Sequence, residues 1–279
     1  MMNKQEVLSI LEQYGLSATK SLGQNFLCNE DVISRILDLA GLSQKSDLRV
    51  LEIGPGIGAL SEDAVRMSGS YVAVEIDTSF QSRLEDVITD HGGQVIFRDY
   101  LQFSPNDLSD ERKPDVVISN LPYYVMTPIM LKVMADFPNC RKMVYMVEEE
   151  AMERIFARPG TKQYGPLAVM TSLFGKKSKA FTVDRASFVP APNTTSAVMT
   201  IEREEGKTWD PSWIPFVESA FALRRKTLVN SLSSSGRYCK EQIQSALSSM
   251  GRKETVRSEE MEPLEFCTLY DILEGRKDV

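Results

Sequence analysis

At residues 50–61 the chain reads Val50-Leu51-Glu52-Ile53-Gly54-Pro55-Gly56-Ile57-Gly58-Ala59-Leu60-Ser61. An apolar run leads into three glycines at alternate positions, and a helical pattern of apolar residues follows. This arrangement predicts a buried strand, a tight turn and the beginning of a helix. Because glycine has no Cβ, the backbone of such a turn can approach a ligand closely. Much of the functional prediction depends on which ligand that is.

Strand patterns and helix patterns alternate on both sides of the glycine turn. The predicted strands cover residues 48–53, 71–77, 94–99, 115–119 and 142–147, and segments 168–174, 179–183 and 197–201 complete the pattern. This alternation predicts an α/β fold with a mostly parallel, doubly wound sheet. Ligands bind at the carboxyl ends of the strands in such sheets. Four residues fall at those ends, namely Gly54, Glu75, Asp99 and Asn120.

A polar stretch at residues 203–207 predicts a linker between two domains, because it contains a glycine and no apolar residue. Residues 1–203 carry the α/β pattern. Residues 207–279 contain four segments with helical periodicity and no strand pattern, so we expect a small all-α C-terminal domain there.

The charge and the cysteine content limit the possible partners. Residues 207–279 contain 11 Lys+Arg and 11 Asp+Glu, so the net charge of −7 falls entirely on residues 1–206. This balance argues against a large, uniform nucleic-acid surface but leaves room for a local basic cluster.

The four cysteines are widely spaced and His91 is the single histidine, so we expect no metal site and reduced thiols. With no signal peptide and no membrane-length apolar run, a cytoplasmic protein without membrane contact is expected.

The glycine turn is compatible with two ligands. Gly54-x-Gly56-x-x-Ala59 fits a dinucleotide fingerprint, and Glu75 lies near the distance expected of a ribose-binding acid. NAD and S-adenosylmethionine both carry such a ribose. The acids Glu52 and Asp99 favour S-adenosylmethionine, because they would repel a pyrophosphate but not a cationic sulfonium.

The most specific pattern is Asn120-Leu121-Pro122-Tyr123. An amide oxygen and a backbone carbonyl that accept both N6–H bonds of adenine would make this delocalised nitrogen more nucleophilic. An adjacent aromatic ring would stack on the base, and the proline fixes the turn and removes an unwanted donor. A simple strand-end turn is the alternative, because Asn-x-Pro is common in loops.

Several motifs in the same order resemble those of the ribosomal RNA small-subunit adenine N6,N6-dimethyltransferase family. They are residues 23–27, 52–56, 75–77, 120–124, 187–192, and Phe221-x-x-Arg224-Arg225-Lys226-Thr227-Leu228 with 230–232. The resemblance covers nearly the whole chain. It implies a Rossmann-like methyltransferase domain, S-adenosyl-L-methionine as cofactor, and a helical domain that contacts RNA. The implied substrate is two adjacent adenosines in a hairpin near the 3′ end of small-subunit (16S) rRNA, in the immature small ribosomal subunit.

The same resemblance implies the site residues. The cofactor would contact Asn25, Leu27, Gly54, Glu75, Asp99 and Asn120. The catalytic set would be Asn120, Pro122, Tyr123 and Phe188, with both aromatic rings holding the target adenine, although Phe188 is equally compatible with the core. Arg224, Arg225 and Lys226 would bind RNA phosphate or fix the domain interface.

Two departures reduce the expected basic surface. Glu148-Glu149-Glu150 stands where the family often has Gln-Lys-Glu, and Asn193 replaces a basic residue. Three other hypotheses remain: a methyltransferase acting on one adenine of large-subunit rRNA, an inactive ribosome-assembly or transcription factor, and an NAD-dependent oxidoreductase. We expect a monomer, because no strong apolar surface stripe is visible.

Overall fold

The computed structural model describes residues 2–19, 23–121 and 124–276. The chain forms two compact units. The first unit comprises Met1–Met152 with Lys176–Arg203, and the second comprises Glu153–Gly175 with Glu204–Val279. This division differs from the sequence-based boundary at residue 203, since residues 153–175 belong to the second unit. The final helix of that segment packs on helices of the C-terminal region.

Nine strands occur in the described residues: β1 (Phe26–Leu27), β2 (Arg49–Ile53), β3 (Ser70–Glu75), β4 (Gln94–Phe97), β5 (Val116–Asn120), β6 (Lys142–Glu148), β7 (Gly175–Val183), β8 (Phe188–Val189) and β9 (Ser196–Arg203). Seven of them form one sheet in the order β4-β3-β2-β5-β6-β9-β7. The pairs among β2 to β6 are parallel, whereas β9 runs antiparallel to β6. The predicted doubly wound sheet is therefore confirmed, with a reversed strand inserted after β6.

The helices of the described residues are α1 (Lys4–Gln13), α2 (Glu30–Leu39), α3 (Ser61–Met67), α4 (Gln81–Val87), α5 (Met126–Asp136), α6 (Glu149–Ile155), α7 (Pro166–Phe174), α8 (Trp213–Phe221), α9 (Leu228–Ser233), α10 (Lys240–Ser249) and α11 (Pro263–Leu273). Residues 168–174, which continue the alternating pattern in the sequence, lie in α7. None of the helices in this part of the chain is long and apolar enough to cross a membrane.

Helix α2 shows how the sequence sets element boundaries. The side chain of Asn29 accepts a hydrogen bond from the backbone N–H of Val32 at 3.3 Å, which satisfies a donor at the start of the helix. The chain leaves the helix at Gly41, whose φ of 81° is the left-handed conformation that glycine adopts without strain. In the sequence, Asn29 is a capping residue and Gly41 a glycine stop on either side of the apolar pattern, and the helix lies between them.

The centre of the sheet is apolar on both faces. In β2 and β5 the side chains of Val50, Leu51, Val117 and Ile118 are at most 1 % exposed. Central parallel strands carry continuous apolar runs because helices cover both faces. This burial places β2 and β5 in the interior of the sheet.

A second, two-stranded sheet joins distant segments of the first unit. β1 pairs antiparallel with β8, with Phe26 opposite Val189 and Leu27 opposite Phe188. The backbone N–H of Cys28 also donates to the carbonyl of Ser187 at 2.8 Å. Residues 20–27 mix polar and aromatic side chains without a period, so the sequence alone indicates a loop. Within the described part of that segment, Phe26 and Leu27 instead form a strand that is tied to the Phe188 region.

Candidate active site

A cavity of about 290 Å³ opens at the carboxyl ends of the parallel strands in the first unit. All six residues expected to bind the cofactor line it: Asn25, Leu27, Gly54, Glu75, Asp99 and Asn120. Phe188 lines it as well. The parallel sheet brings Gly54, Glu75, Asp99 and Asn120 together, because parallel strands present their carboxyl ends at one edge. The segment of the β1–β8 pair supplies the other three residues.

The glycine turn forms one wall of the cavity. Gly54 has φ of 70°, and a Cβ at this position would meet no protein atom within 4 Å. Gly56 has φ of 57°, and a Cβ there would lie 3.5 Å from the ring of Phe26. Both positions therefore need glycine for backbone conformation. At Gly54 the space beside the backbone remains open.

Glu75 is held by the turn that it faces. Its Oε2 accepts a hydrogen bond from the backbone N–H of Gly56 at 2.9 Å, and its Oε1 accepts one from the N–H of Asp77 at 2.9 Å. The residue is 4 % exposed. Burial raises the pKa of this carboxyl, while the two N–H groups lower it in part. Each oxygen keeps a further lone pair as an acceptor for hydroxyl groups.

Glu52 was expected to act as a charged acid facing the ligand, but its carboxyl is hydrogen-bonded to protein side chains. Although it lines the cavity, its Oε2 accepts hydrogen bonds from Ser61 Oγ at 2.6 Å and from the Tyr71 hydroxyl. Burial raises the pKa of this carboxyl to about 7. Glu52 therefore links β2 to the beginning of α3 and to β3. A carboxyl that is partly protonated near neutral pH gives weaker support to the argument that it repels a pyrophosphate.

Asn120 lies at the end of β5, beside the N-terminal segment. Its Nδ2 donates to the backbone carbonyl of Asn25 at 3.3 Å, and the Asn25 side chain donates to the carbonyl of Gly23 at 3.0 Å. The preceding Ser119 Oγ donates to the Ile53 carbonyl at 2.5 Å, which joins β5 to the end of β2. These contacts fix the Asn120 amide at the cavity.

Four other residues were predicted for the site, and the structure describes two of them, Phe188 and Asp99. Pro122 and Tyr123 lie outside the described residues. Phe188 is 4 % exposed, packs in the core and lines the cavity, and its stacking role stays a prediction. Asp99 caps a short turn, because its Oδ1 accepts from the backbone N–H of Leu101 at 2.9 Å.

Three exposed apolar side chains at the cavity were not predicted as site residues. Ile76 is 51 % exposed, Leu101 is 39 % exposed and Tyr124 is 64 % exposed, and all three line the cavity. Exposed apolar side chains that gather at a concave site often mark a ligand surface. Their positions next to Glu75, Asp99 and the Asn120 motif were the available sequence indication.

These features fit S-adenosylmethionine. Ile76 and Leu101 offer apolar surface for a flat adenine ring, and the carboxylate of Glu75 suits ribose hydroxyls. The open space at Gly54 admits a ligand against the backbone. Among the described residues, no group of three or more His, Cys, Asp or Glu is placed to hold a metal ion.

The expected RNA-binding residues belong to the second unit and do not line the cavity. Arg224, Arg225 and Lys226 are exposed and immediately precede the Thr227 cap of α9. The guanidinium of Arg224 donates through NH2 to the backbone carbonyl of Lys162 at 2.6 Å. No carboxylate in the described part of the chain forms an ion pair with these three residues.

The sheet is doubly wound and has a reversed strand after β6. The glycine turn, Glu75 and Asn120 meet at one cavity. These features define a Rossmann-like methyltransferase that uses S-adenosylmethionine. A dinucleotide-binding sheet would instead continue with parallel strands. The family model described as "Ribosomal RNA adenine dimethylase" matches residues 15–274. The chain belongs to this family of rRNA adenine dimethyltransferases.

Individual relatives agree with this assignment. "Ribosomal RNA small subunit methyltransferase A" of Anoxybacillus flavithermus is 38% identical over 95% of this chain and 93% of that protein. The protein of the same name from Enterococcus faecalis is 34% identical over 97% of this chain and 95% of its own length.

Two solved structures share the fold. A dimethyladenosine transferase from Plasmodium falciparum has a TM-score of 0.71 at 23% identity and covers 90% of this chain and 98% of its own. The 23S rRNA methyltransferase ErmE has a TM-score of 0.59 at 22% identity, with 90% and 100% covered.

Proposed function

We propose that this enzyme dimethylates N6 of two adjacent adenosines in the hairpin near the 3′ end of small-subunit rRNA. It would act as a cytoplasmic monomer on the immature small ribosomal subunit during its biogenesis. The observation that carries the proposal is the position of Asn120, whose amide is fixed beside the cavity by its hydrogen bond to Asn25. The names of the relatives from Anoxybacillus and Enterococcus support the choice of the small subunit.

In this proposal the cofactor supplies an electrophilic methyl group on a sulfonium, and the chain supplies position. The Asn120 Nδ2 is used by the Asn25 carbonyl, so Oδ1 remains the acceptor for one N6–H of adenine. An acceptor at this point draws electron density toward the nitrogen and aligns its lone pair. Such alignment can account for most of the rate acceleration of a displacement reaction. No strong general base is needed, because the methylated nitrogen is cationic and releases its proton readily.

The adenine must leave its helical stack before it can reach the cavity, at a cost of a few kcal/mol. Stacking against an aromatic side chain returns roughly 1–3 kcal/mol per base. Tyr123 and Phe188 are the proposed stacking residues. We add Tyr124, because its exposed ring already lines the cavity.

The test is transfer of labelled methyl from S-adenosylmethionine to immature small subunits that lack the modification, with purified large subunits assayed in parallel. We expect two dimethyladenosines on the small subunit. The Asn120→Ala variant should transfer no methyl even at a cofactor concentration that saturates its site, although it loses one predicted cofactor contact. Label on the large subunit alone would overturn the choice of substrate. Intact cofactor binding without transfer to either subunit would indicate an assembly factor that has lost activity.

A further inference from the structure

The basic residues of the second unit come from two segments that are far apart in sequence. One is residues 158–162, which contain Arg158 and Lys162, and the other is residues 224–226. The hydrogen bond from Arg224 NH2 to the Lys162 carbonyl joins them directly, at 2.6 Å. The sequence placed the first segment in the methyltransferase domain, so this neighbourhood could not be predicted.

The 158–162 segment has a defined conformation in the second unit. Thr161 Oγ1 donates to the carbonyl of Arg158 at 2.7 Å, and the N–H of Gly160 donates to the carbonyl of Glu259 at 2.7 Å. The hydroxyl of Tyr164 donates to the carbonyl of Met261 at 2.8 Å. Its ring packs edge-on against Phe221, at a centroid distance of 5.9 Å. The segment is thus anchored by contacts that do not use the charged ends of its own cations.

Five cationic side chains are exposed on these segments, and we call them the basic face: Arg158, Lys162, Arg224, Arg225 and Lys226. Two carboxylates beside the 158–162 segment have other partners. Glu153 accepts from Gln163 Nε2 at 3.2 Å, and Glu259 pairs with Arg257 at 3.7 Å. In the described part of the chain, no ion pair involves a member of the basic face. Cations that are exposed and lack an acidic partner are available to an external anion.

We infer that the basic face is one phosphate-binding surface for the RNA backbone, in which Arg158 and Lys162 contact phosphates together with Arg224–Lys226. This inference rests on the proposed function, because the RNA would be the substrate rRNA. Lysine and arginine contacts to phosphate release bound counterions, so affinity falls as salt rises. In this role Arg158 and Lys162 do not distinguish one RNA sequence from another. They supply affinity and fix the orientation of the RNA.

The experiment measures binding of a fluorescein-labelled RNA hairpin, with two adjacent adenosines in its loop, by anisotropy across a potassium chloride series. The variant is Arg158→Gln with Lys162→Gln. The Lys162 carbonyl is unchanged in this variant, so the contact with Arg224 can remain. The matched control is Lys240→Gln with Lys253→Gln, which removes two exposed cations from the same unit. A second variant, Arg158→Lys with Lys162→Arg, keeps both charges.

We expect the double Gln variant to weaken binding by about tenfold near physiological salt and to reduce the salt slope by about 1 per cation removed. The control and the charge-keeping variant should match the wild type. Equal affinities and slopes for the Arg158/Lys162 and Lys240/Lys253 variants, with methyl transfer by the wild type intact, would overturn this inference and leave the proposed function standing. A wild type that neither binds the hairpin nor methylates small subunits would overturn both.

Discussion

The backbone N–H of Gly56 donates a hydrogen bond to Oε2 of Glu75 at 2.9 Å, so the glycine turn after β2 and the end of β3 are joined at the cavity. The other carboxylate oxygen accepts from Asp77. The acid therefore has a fixed orientation in the protein alone. A site that is oriented beforehand loses less entropy when its ligand binds.

Glu75→Gln should lower both cofactor affinity and stability. The new amide group would direct an NH₂ toward one of the two backbone N–H donors, so one hydrogen bond is lost and a buried donor stays unpaired. We expect a loss of about 1–3 kcal/mol in unfolding free energy and at least ~10-fold weaker binding of S-adenosylmethionine. Calorimetric titration and urea unfolding measure the two effects. Asp90→Asn, at an exposed carboxyl of the same unit, is the control and should change neither.

Glu52→Gln should flatten the pH dependence of stability. Burial raises the pKa of Glu52 to about 7, above the ordinary value of 4.5, so the folded protein holds a proton that the unfolded chain releases. The stability from this group is complete below pH 4.5 and is lost as the pH rises through 7. The difference corresponds to about 3 kcal/mol. Urea unfolding at several pH values should show a steeper decline for the wild type than for the variant. Parallel profiles would contradict this account.

Alanine substitutions at Tyr124 and Phe188 should have different effects on RNA methylation and on protein stability. Tyr124→Ala removes an exposed ring, so we expect stability to change by less than about 0.5 kcal/mol. The value of kcat/KM for RNA should fall roughly 10- to 100-fold through lost stacking. Phe188→Ala removes a buried ring and should cost about 3–5 kcal/mol in stability. Steady-state kinetics and thermal unfolding of both variants test the contrast, and unchanged kcat/KM in Tyr124→Ala would remove this residue from the site.

Asp115→Asn should destabilise the sheet without affecting the cavity. Arg49 donates to Asp115 through its backbone N–H at 3.1 Å, through Nε at 2.9 Å and through NH2 at 2.8 Å. The Arg49 guanidinium holds the pKa of Asp115 below its usual value, so this stabilisation is present above that value and is lost as the pH falls. We expect a loss of about 2 kcal/mol at neutral pH. Cofactor affinity should equal that of the wild type, because the pair lies at the amino ends of β2 and β5. A weaker affinity would show that this end of the sheet also shapes the cavity.

Local sequence patterns predicted much of the first unit. Alternating strands and helices identified the parallel sheet, and the strand ends brought Gly54, Glu75 and Asn120 to one cavity. These features depend on short-range periodicity and on a general rule for parallel sheets. The roles assigned to these residues remain predictions.

Features that depend on contacts between distant segments could not be predicted. The pairing of β1 with β8 is one example, since neither two-residue strand has a pattern of its own. Glu52 is another, because its partners Ser61 and Tyr71 are identified only once α3 and β3 are packed. Strand periodicity assigns a side chain to one face of the sheet and does not identify the donors on that face.

The division of the second unit into two chain segments has a consequence during protein synthesis. Helix α7 is made before the first unit is complete, and its apolar side chains, among them Met170 and Phe174, are buried in the finished protein. The helices that pack on it, α8 and α11, come later in the chain. At translation rates of 5–20 residues per second, α7 waits roughly 5–20 s for α11. Helix α8 can cover part of α7 earlier, but until α11 follows the nascent chain carries an incompletely covered apolar helix, which favours aggregation and chaperone binding in this interval.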